Sequence, residues 1–189
     1  MKIDAYGQRI LDLAREVTGT SPSETPLGRA GHTVCQMVQA YGQDGILFLR
    51  NRDPINAVAS FGYAYGWLEA GVFLGLLCIE LPCDRSRFED RVDPVMLARL
   101  SEKAERYQRL LREGISALEP APDKESILRR GSDDILLQAR TALNEGDLHL
   151  AGGEYLEALG WYGYGHGWLD AGVRIGLFRI TGRRDLFTV

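Results

Sequence analysis

The feature that most constrains this chain is a repeat of its own sequence at an offset of 101 residues. Residues 53–77 read DPINAVASFGYAYGWLEAGVFLGLL and residues 154–178 read EYLEALGWYGYGHGWLDAGVRIGLF, with eleven of the 25 ungapped pairs identical. The same offset pairs Tyr6 with Tyr107 and Gly45 with Gly146. Self-similarity at one fixed offset indicates a repeated structural unit, so we interpret the chain as a tandem duplication.

The duplication sets the predicted domain organisation. We predict unit 1 over 1–81, a linker over 82–93, unit 2 over 94–180 and a C-terminal tail over 181–189. The segment LPCDRSRFEDRVD, from residue 81 to residue 93, is charged and is followed by Pro94. These are signs of an exposed connection between two folded units.

Each unit carries start signals for its first two helices. The first helix is predicted over 2–18 in unit 1 and over 94–118 in unit 2, where Asp93 is a suitable N-cap and Pro94 a suitable first-turn residue. The second helix of unit 1 is predicted to begin at SPSE, residues 21–24, which has the form of a capping box. Its counterpart is predicted to begin near Asp123.

The third helix of each unit is the repeated segment. It is predicted to begin at Asp53-Pro54 in unit 1 and near residues 153–154 in unit 2. Large apolar side chains recur in it at spacings of three and four, and Tyr63 and Trp67 belong to a second apolar face. No segment alternates apolar and polar residues at strand spacing. The sequence therefore predicts an all-α protein with three helices in each unit.

A ridge of small residues separates the two apolar faces of the third helix. Glycine within a helix costs roughly 0.5–1 kcal/mol relative to alanine, so several of them indicate close approach of another backbone. One unit covers only one face of its third helix, and the other unit is the nearest cover for the second face. We therefore predict that the third helices pack on each other about a pseudo-two-fold axis. The predicted helix-packing glycines are Gly62, Gly66, Gly163 and Gly167.

The repeated helix also resembles a known family. The segments YGWLEAGVFLG at 65–75 and GEYLEALGWYGYGHGWLDAGVRIGLF at 153–178 are similar to the signature of an archaeal family of uncharacterised proteins, domain-of-unknown-function family 357. The resemblance covers 106–178 almost completely and unit 1 more weakly, where Pro54 and Glu69 replace an aromatic residue and an aspartate. The resemblance implies a left-handed, up-and-down three-helix bundle for each unit, with two such bundles in tandem here. It does not imply any established activity.

Two carboxylates are the strongest candidates for a functional or structural site. Glu69 and Asp170 occupy the same position of the repeat, in mid-helix between apolar faces. Because a buried charge is costly unless it is paired, each needs a partner such as a tyrosine hydroxyl, an indole N–H or an arginine. We interpret the two carboxylates as locks on helix register, with a ligand-binding or catalytic role as the alternative.

A metal or cofactor site is not predicted. His166 and Asp170 are four residues apart on one helical face, as metal ligands often are, but unit 1 has Tyr65 in place of the histidine. Two ligands do not make a site. We predict no metal, no cofactor and no catalytic residue, and interpret His166 as a core histidine.

Bulk composition argues against nucleic acid as a partner and favours a cytoplasmic protein. The formal net charge of −4 gives no basic field for nucleic acid, and three cysteines in a chain of this size favour a reducing, cytoplasmic location. The run 57–79 has Glu69 as its only charge and is long enough to span a bilayer. The matching run carries His166, Asp170 and Arg174, so we predict a buried helix and no membrane span.

Three functional hypotheses remain. The first is a non-enzymatic scaffold or protein-interaction module, with an unknown protein partner or a homodimer. The second is a small-molecule or metal-binding protein, open to being an enzyme, and the third is an RNA-binding helical bundle. For the second hypothesis we predict a pocket or repeat interface lined by Tyr63, Trp67, Glu69, Tyr164, His166, Trp168 and Asp170.

Overall fold

The part of the chain that the structure, a computed structural model, describes is residues 1–81, 88–90 and 92–188. Helices dominate it, and the only strands among these residues are two or three residues long, which confirms the all-α class. The helices within the described ranges are α1 (Ile3–Glu16), α2 (Pro26–Arg50), α3 (Pro54–Phe73), α4 (Leu97–Ser116), α5 (Ile127–Ala151) and α6 (Tyr155–Arg174).

The start of α2 differs from its predicted position. The helix begins at Pro26, and the Thr25 hydroxyl caps it by accepting a hydrogen bond of 3.0 Å from the Gly28 N–H. The predicted capping box at 21–24 is wrong, because residues 22–25 form a separate turn that the Thr25 N–H closes on the Pro22 carbonyl. In α5 the capping residue is likewise Ser126, three residues after the predicted start near Asp123.

The other helix starts lie close to the predictions. Asp53 caps α3 by accepting a bond of 3.1 Å from the Asn56 N–H, and α6 begins at Tyr155. The predicted helix over 94–118 is divided into a 3₁₀ turn, Pro94–Met96, and α4. The Asp93 carboxylate accepts a bond of 3.0 Å from Val95 N–H and so caps the turn.

Each unit contains one short antiparallel ladder, which the sequence analysis did not predict. β1 (Thr18–Gly19) pairs with β2 (Leu77–Cys78), and β3 (Leu118–Pro120) pairs with β4 (Phe178–Ile180). Strands this short cannot show the alternation by which a strand is recognised in sequence. Each ladder joins the residues after the first helix of a unit to those after its third.

Within each unit the three helices contact one another, and equivalent glycines make equivalent contacts. A Cβ added to Gly45 of α2 would collide with the Phe61 ring, and one added to Gly146 of α5 would collide with the Tyr162 ring. Phe61 and Tyr162 are equivalent residues of the repeat and both are fully buried. The two halves of the chain therefore use the same packing between their second and third helices.

The two units meet where α3 lies against α6, and we call this contact the seam. A Cβ added to Gly163 would lie 2.7 Å from the Ala59 carbonyl oxygen, and one added to Gly167 would lie 2.9 Å from the Gly66 Cα. Because the numbers of the contacting residues rise together along the two helices, α3 and α6 run in the same direction. Backbone meets backbone here, which only residues without a side chain permit.

The described residues of the predicted linker and tail make contacts with the helices. Residues 82–87 and 91 of the linker lie outside the described residues. Asp90 accepts a bond of 2.7 Å from the Ile3 N–H and so caps α1. In the tail, Phe187 is buried and Thr188 bonds to Asp170. Among the described residues, none of the helices combines the length and the apolar character that crossing a bilayer requires.

Candidate ligand pocket between the repeats

Two tyrosine–carboxylate hydrogen bonds cross the seam. The Tyr63 hydroxyl of α3 donates to Asp170 of α6, and the Tyr164 hydroxyl of α6 donates to Glu69 of α3. The two tyrosines are equivalent residues of the repeat, and so are the two carboxylates. The bonds are thus reciprocal, and each ties one unit to the other.

The two carboxylates differ in their surroundings. Asp170 is only 3% exposed, and it also accepts bonds from the Thr188 N–H at 3.0 Å and the Thr188 hydroxyl at 2.8 Å. Burial raises the pKa of Asp170, although the hydrogen bonds from Tyr63 and Thr188 oppose that rise. Glu69 is only partly buried. The repeat therefore carries one deeply buried carboxylate and one that is closer to solvent.

A cavity of about 290 Å³ opens beside Asp170, and we call it the interface pocket. It draws its walls from both units, from α2 and α3 on one side and from α4, α6 and the C-terminal segment on the other. The residues that line it are Tyr41, Ala59, Ser60, Tyr63, Tyr107, Leu110, His166, Asp170, Asp185, Leu186 and Thr188. Such a concave site with a few converging polar groups is the usual form of a small-molecule site.

His166, one of the lining residues, has a hydrogen-bond acceptor that is unused among the described residues. Its Nε2 atom is buried and has no hydrogen-bond partner among the described residues. Burial lowers the pKa of His166 to about 4, and a hydrogen bond with the Tyr107 backbone only partly opposes this. This bond raises the pKa, so the ring is its donor and the Tyr107 backbone its acceptor. Because Nε2 has no partner within the described part of the chain, the donor is Nδ1–H. At neutral pH, Nε2 therefore carries a free lone pair.

Three tyrosines provide the aromatic walls. The rings of Tyr41 and Tyr63 lie 4.3 Å apart between centroids, and Tyr107 lies edge-on to His166 at 6.3 Å. Burial raises the pKa of all three phenols, that of Tyr63 most strongly. All three are therefore neutral at physiological pH and offer hydroxyl groups and ring faces.

Two of the equivalent positions on the other side of the seam carry larger side chains. Trp161 stands where unit 1 has Ser60, and Tyr65 stands where unit 2 has His166. Their rings lie 5.8 Å and 6.2 Å from the ring of Tyr164. Aromatic side chains therefore lie beside Tyr164, whereas Ser60 and His166 line the interface pocket beside Tyr63 and Asp170.

The structure brings some of the predicted site residues together and separates others. Tyr63, His166 and Asp170 line the interface pocket, while Trp67, Glu69, Tyr164 and Trp168 lie in the seam and outside its lining. Both indoles are almost fully buried, and Trp168 packs on Phe73 at 5.5 Å. The four predicted helix-packing glycines all lie in the seam, against the backbone of the opposite helix.

Sequence reasoning missed the pocket residues that come from other elements, chiefly Tyr41, Tyr107 and Thr188. No periodicity within α2, α4 or the tail indicates that these segments converge. One usable signal was present in the repeat, where Ser60 pairs with Trp161 and Tyr65 with His166. Such unequal pairs within a closely matched helix indicate that the two sides of the seam differ.

The other suspected sites have ordinary roles in the structure. Within residues 1–81, 88–90 and 92–188, no group of three or more metal-binding side chains is assembled. Two arginines that an RNA-binding role would draw on are engaged in ion pairs: Arg183 pairs with Glu113 and Asp185, and Arg129 pairs with Asp133 at 3.2 Å.

Comparison with protein families identifies the repeated unit. A family described as a protein of unknown function, DUF357, matches residues 6–77 and again residues 106–178. The two matched segments make up most of the chain and correspond to the two halves of the duplication. The chain belongs to the DUF357 family. No curated protein and no solved structure matches it.

Proposed function

We propose that this DUF357 protein binds a small molecule in the interface pocket. The observation that carries the proposal is the convergence, in one cavity between the repeats, of a buried carboxylate, an imidazole with a free acceptor and three phenols. Buried polar groups without partners are rare in folded proteins, so each of them calls for a physical explanation, and a ligand in the adjoining cavity is the one we propose for His166. The underlying architecture is two up-and-down three-helix bundles about a pseudo-two-fold axis.

The asymmetry of the repeat supports the same function. A seam that served only to join two units would be built equally well with the same residues on both sides. Instead, Ser60 and His166 line the interface pocket, and their equivalents in the repeat are the larger residues Trp161 and Tyr65. A gap in a core forfeits packing energy, so small side chains that keep this cavity open favour a binding role for it.

A protein-interaction module is the second candidate. It is favoured by exposed aliphatic side chains on α5, where Leu137 and Leu148 are 57% and 69% exposed on the same helical face. Thr141 and Asn144 lie between them on that face and are also exposed. The apolar surface is therefore interrupted, which is less typical of a docking site than one continuous patch. Sedimentation velocity across a range of protein concentrations tests the dimer form of this candidate.

The test of ligand binding is a fragment screen by ligand-observed NMR on the wild type and on a variant with a filled pocket. Ser60→Trp introduces the indole that unit 2 has at the equivalent position, against Tyr63. Leu137→Trp adds an indole on an exposed face and is the matched control. We expect fragments that bind the wild type and Leu137→Trp but not Ser60→Trp. The absence of any binding fragment, or binding unaffected by Ser60→Trp, would contradict the proposal.

A further inference from the structure

The chemical character of the interface pocket narrows the class of ligand. None of the described residues that line the pocket is a lysine or an arginine, whereas Asp170 and Asp185 are carboxylates. The imidazole of His166 is neutral at physiological pH, as argued above, and so are the phenols. Because Asp185 is paired with Arg183, Asp170 is the carboxylate that gives the described lining its negative charge, which would repel an anionic ligand.

Nearby cations are engaged with other groups. The ammonium group of Lys103 lies over the Tyr107 ring, 5.3 Å from its centroid, and donates to Asn56. Arg174 donates a bond of 3.2 Å to the Thr188 carbonyl oxygen and interacts favourably with Asp170 from an exposed position. Neither cation lines the cavity. Asp170 is thus held mainly by neutral donors from Tyr63 and Thr188, which leaves its charge available to a cation in the pocket.

Hydrogen bonding points to the same class of ligand. The free Nε2 of His166 is an acceptor, and the carboxylates of Asp170 and Asp185 can only accept. A ligand that brings donors complements these acceptors, while the Ser60 and Tyr107 hydroxyls can act as donor or acceptor. The ring faces of Tyr41 and Tyr63 add attraction for a cation, because the face of an aromatic ring carries partial negative charge.

We propose that the interface pocket binds a small primary amine in its ammonium form, with the N–H groups donating to Asp170 and to Nε2 of His166. This inference rests on the proposed function and specifies its ligand class. A cavity of about 290 Å³ takes an ammonium group on a short aromatic or aliphatic stem.

The test uses four probes of similar shape, measured by isothermal titration calorimetry at pH 7.5. Benzylammonium supplies charge and donors, benzyltrimethylammonium supplies charge without donors, benzyl alcohol is neutral and benzoate is an anion. We expect benzylammonium to bind at least tenfold more tightly than each of the other three. Tighter binding of the alcohol or of benzoate would overturn the ligand class while leaving a binding pocket in place. Equal binding of the trimethylated cation would overturn the donor role of the N–H groups.

Variants locate the charge that is recognised. Asp170→Asn keeps the shape of the side chain but removes its charge, and we expect it to weaken benzylammonium binding at least tenfold. Glu69→Gln removes the equivalent carboxylate of unit 1, outside the pocket, and is the matched control that should bind as the wild type does. Ser60→Trp is a second loss-of-binding variant should Asp170→Asn not fold. Equal loss in Glu69→Gln and Asp170→Asn would overturn the assignment, and failure of every fragment and probe would remove the proposed function itself.

Discussion

The Tyr63 hydroxyl donates a hydrogen bond to the carboxylate of Asp170, a residue 107 positions later in the chain. The equivalent bond from Tyr164 to Glu69 runs in the opposite sense across the same seam. Two copies of one helical unit therefore hold each other through the same pair of residue types. Tyr63 and Asp170 also line the interface pocket, which Tyr164 and Glu69 do not.

The seam predicts an unusual response to alanine substitution. Gly66→Ala and Gly167→Ala would each place a methyl group against a backbone carbonyl of the opposite helix. Overpacking of this kind typically costs about 1–3 kcal/mol. The free energy of unfolding, measured by urea titration, should therefore fall by about 1–3 kcal/mol or more. This loss exceeds the gain that alanine brings to a helix through its higher propensity.

Gly160→Ala is the matched control for the seam. Gly160 lies in α6 as well, but a Cβ added there meets its nearest neighbours, Phe88 and Val58, at 3.5 Å, which is ordinary contact. We expect it to be neutral or to stabilise the protein by up to roughly 1 kcal/mol, because alanine favours the helix. Equal destabilisation by all three substitutions would show that close approach at the seam is not the cause.

The tyrosine–carboxylate bonds predict specific coupling in double-mutant cycles. Tyr63→Phe removes the donor to a buried carboxylate and should lower the free energy of unfolding by roughly 1–3 kcal/mol. Combined with Asp170→Asn, it should show a coupling energy of about 1 kcal/mol, since the two residues share one bond. Combined with Glu69→Gln, with which it shares no bond, its effect should be additive. Coupling of equal size in both cycles would contradict the pairing.

His166 predicts a loss of stability in acid. Its pKa in the folded protein is about 4, below the ordinary value of 6.5 that applies to the unfolded chain. As the pH falls below 6.5 the unfolded chain takes up a proton that the folded protein refuses, so stability declines between pH 6.5 and pH 4. The expected loss by pH 4 is roughly 3 kcal/mol.

His166→Phe should remove this component of the pH dependence. Asp170 and Asp185 line the same pocket and also titrate in acid, so the quantity to compare is the difference in unfolding free energy between wild type and variant at each pH. That difference should move in favour of the variant as the pH falls from 7 to 4. A difference that stays constant would show that His166 is protonated as readily in the folded protein as in the unfolded chain.

The architecture could be predicted from the repeat in the sequence, whereas the residues that line the pocket could be predicted only in part. The two apolar faces, the glycine ridge and the need of Glu69 and Asp170 for partners all follow from one amphipathic pattern read at a known period. The contribution of Tyr41, Tyr107 and Thr188 to the pocket does not follow from that pattern, because it depends on how α2, α4 and the tail approach α6 in space. The start of α2 was misplaced for a local reason, since a turn and a helix cap use the same residue types.

The most direct measurement of the central claim is the side-chain ¹⁵N NMR spectrum of the three histidines, His32, His149 and His166, with and without benzylammonium at pH 7.5. We predict that His166 alone responds, remaining a neutral Nδ1–H tautomer while its Nε2 resonance moves from that of an unpaired acceptor to that of a hydrogen-bonded one. A spectrum in which His166 is unchanged while benzylammonium is bound, or in which His32 or His149 responds instead, would contradict the placement of the ligand in the interface pocket.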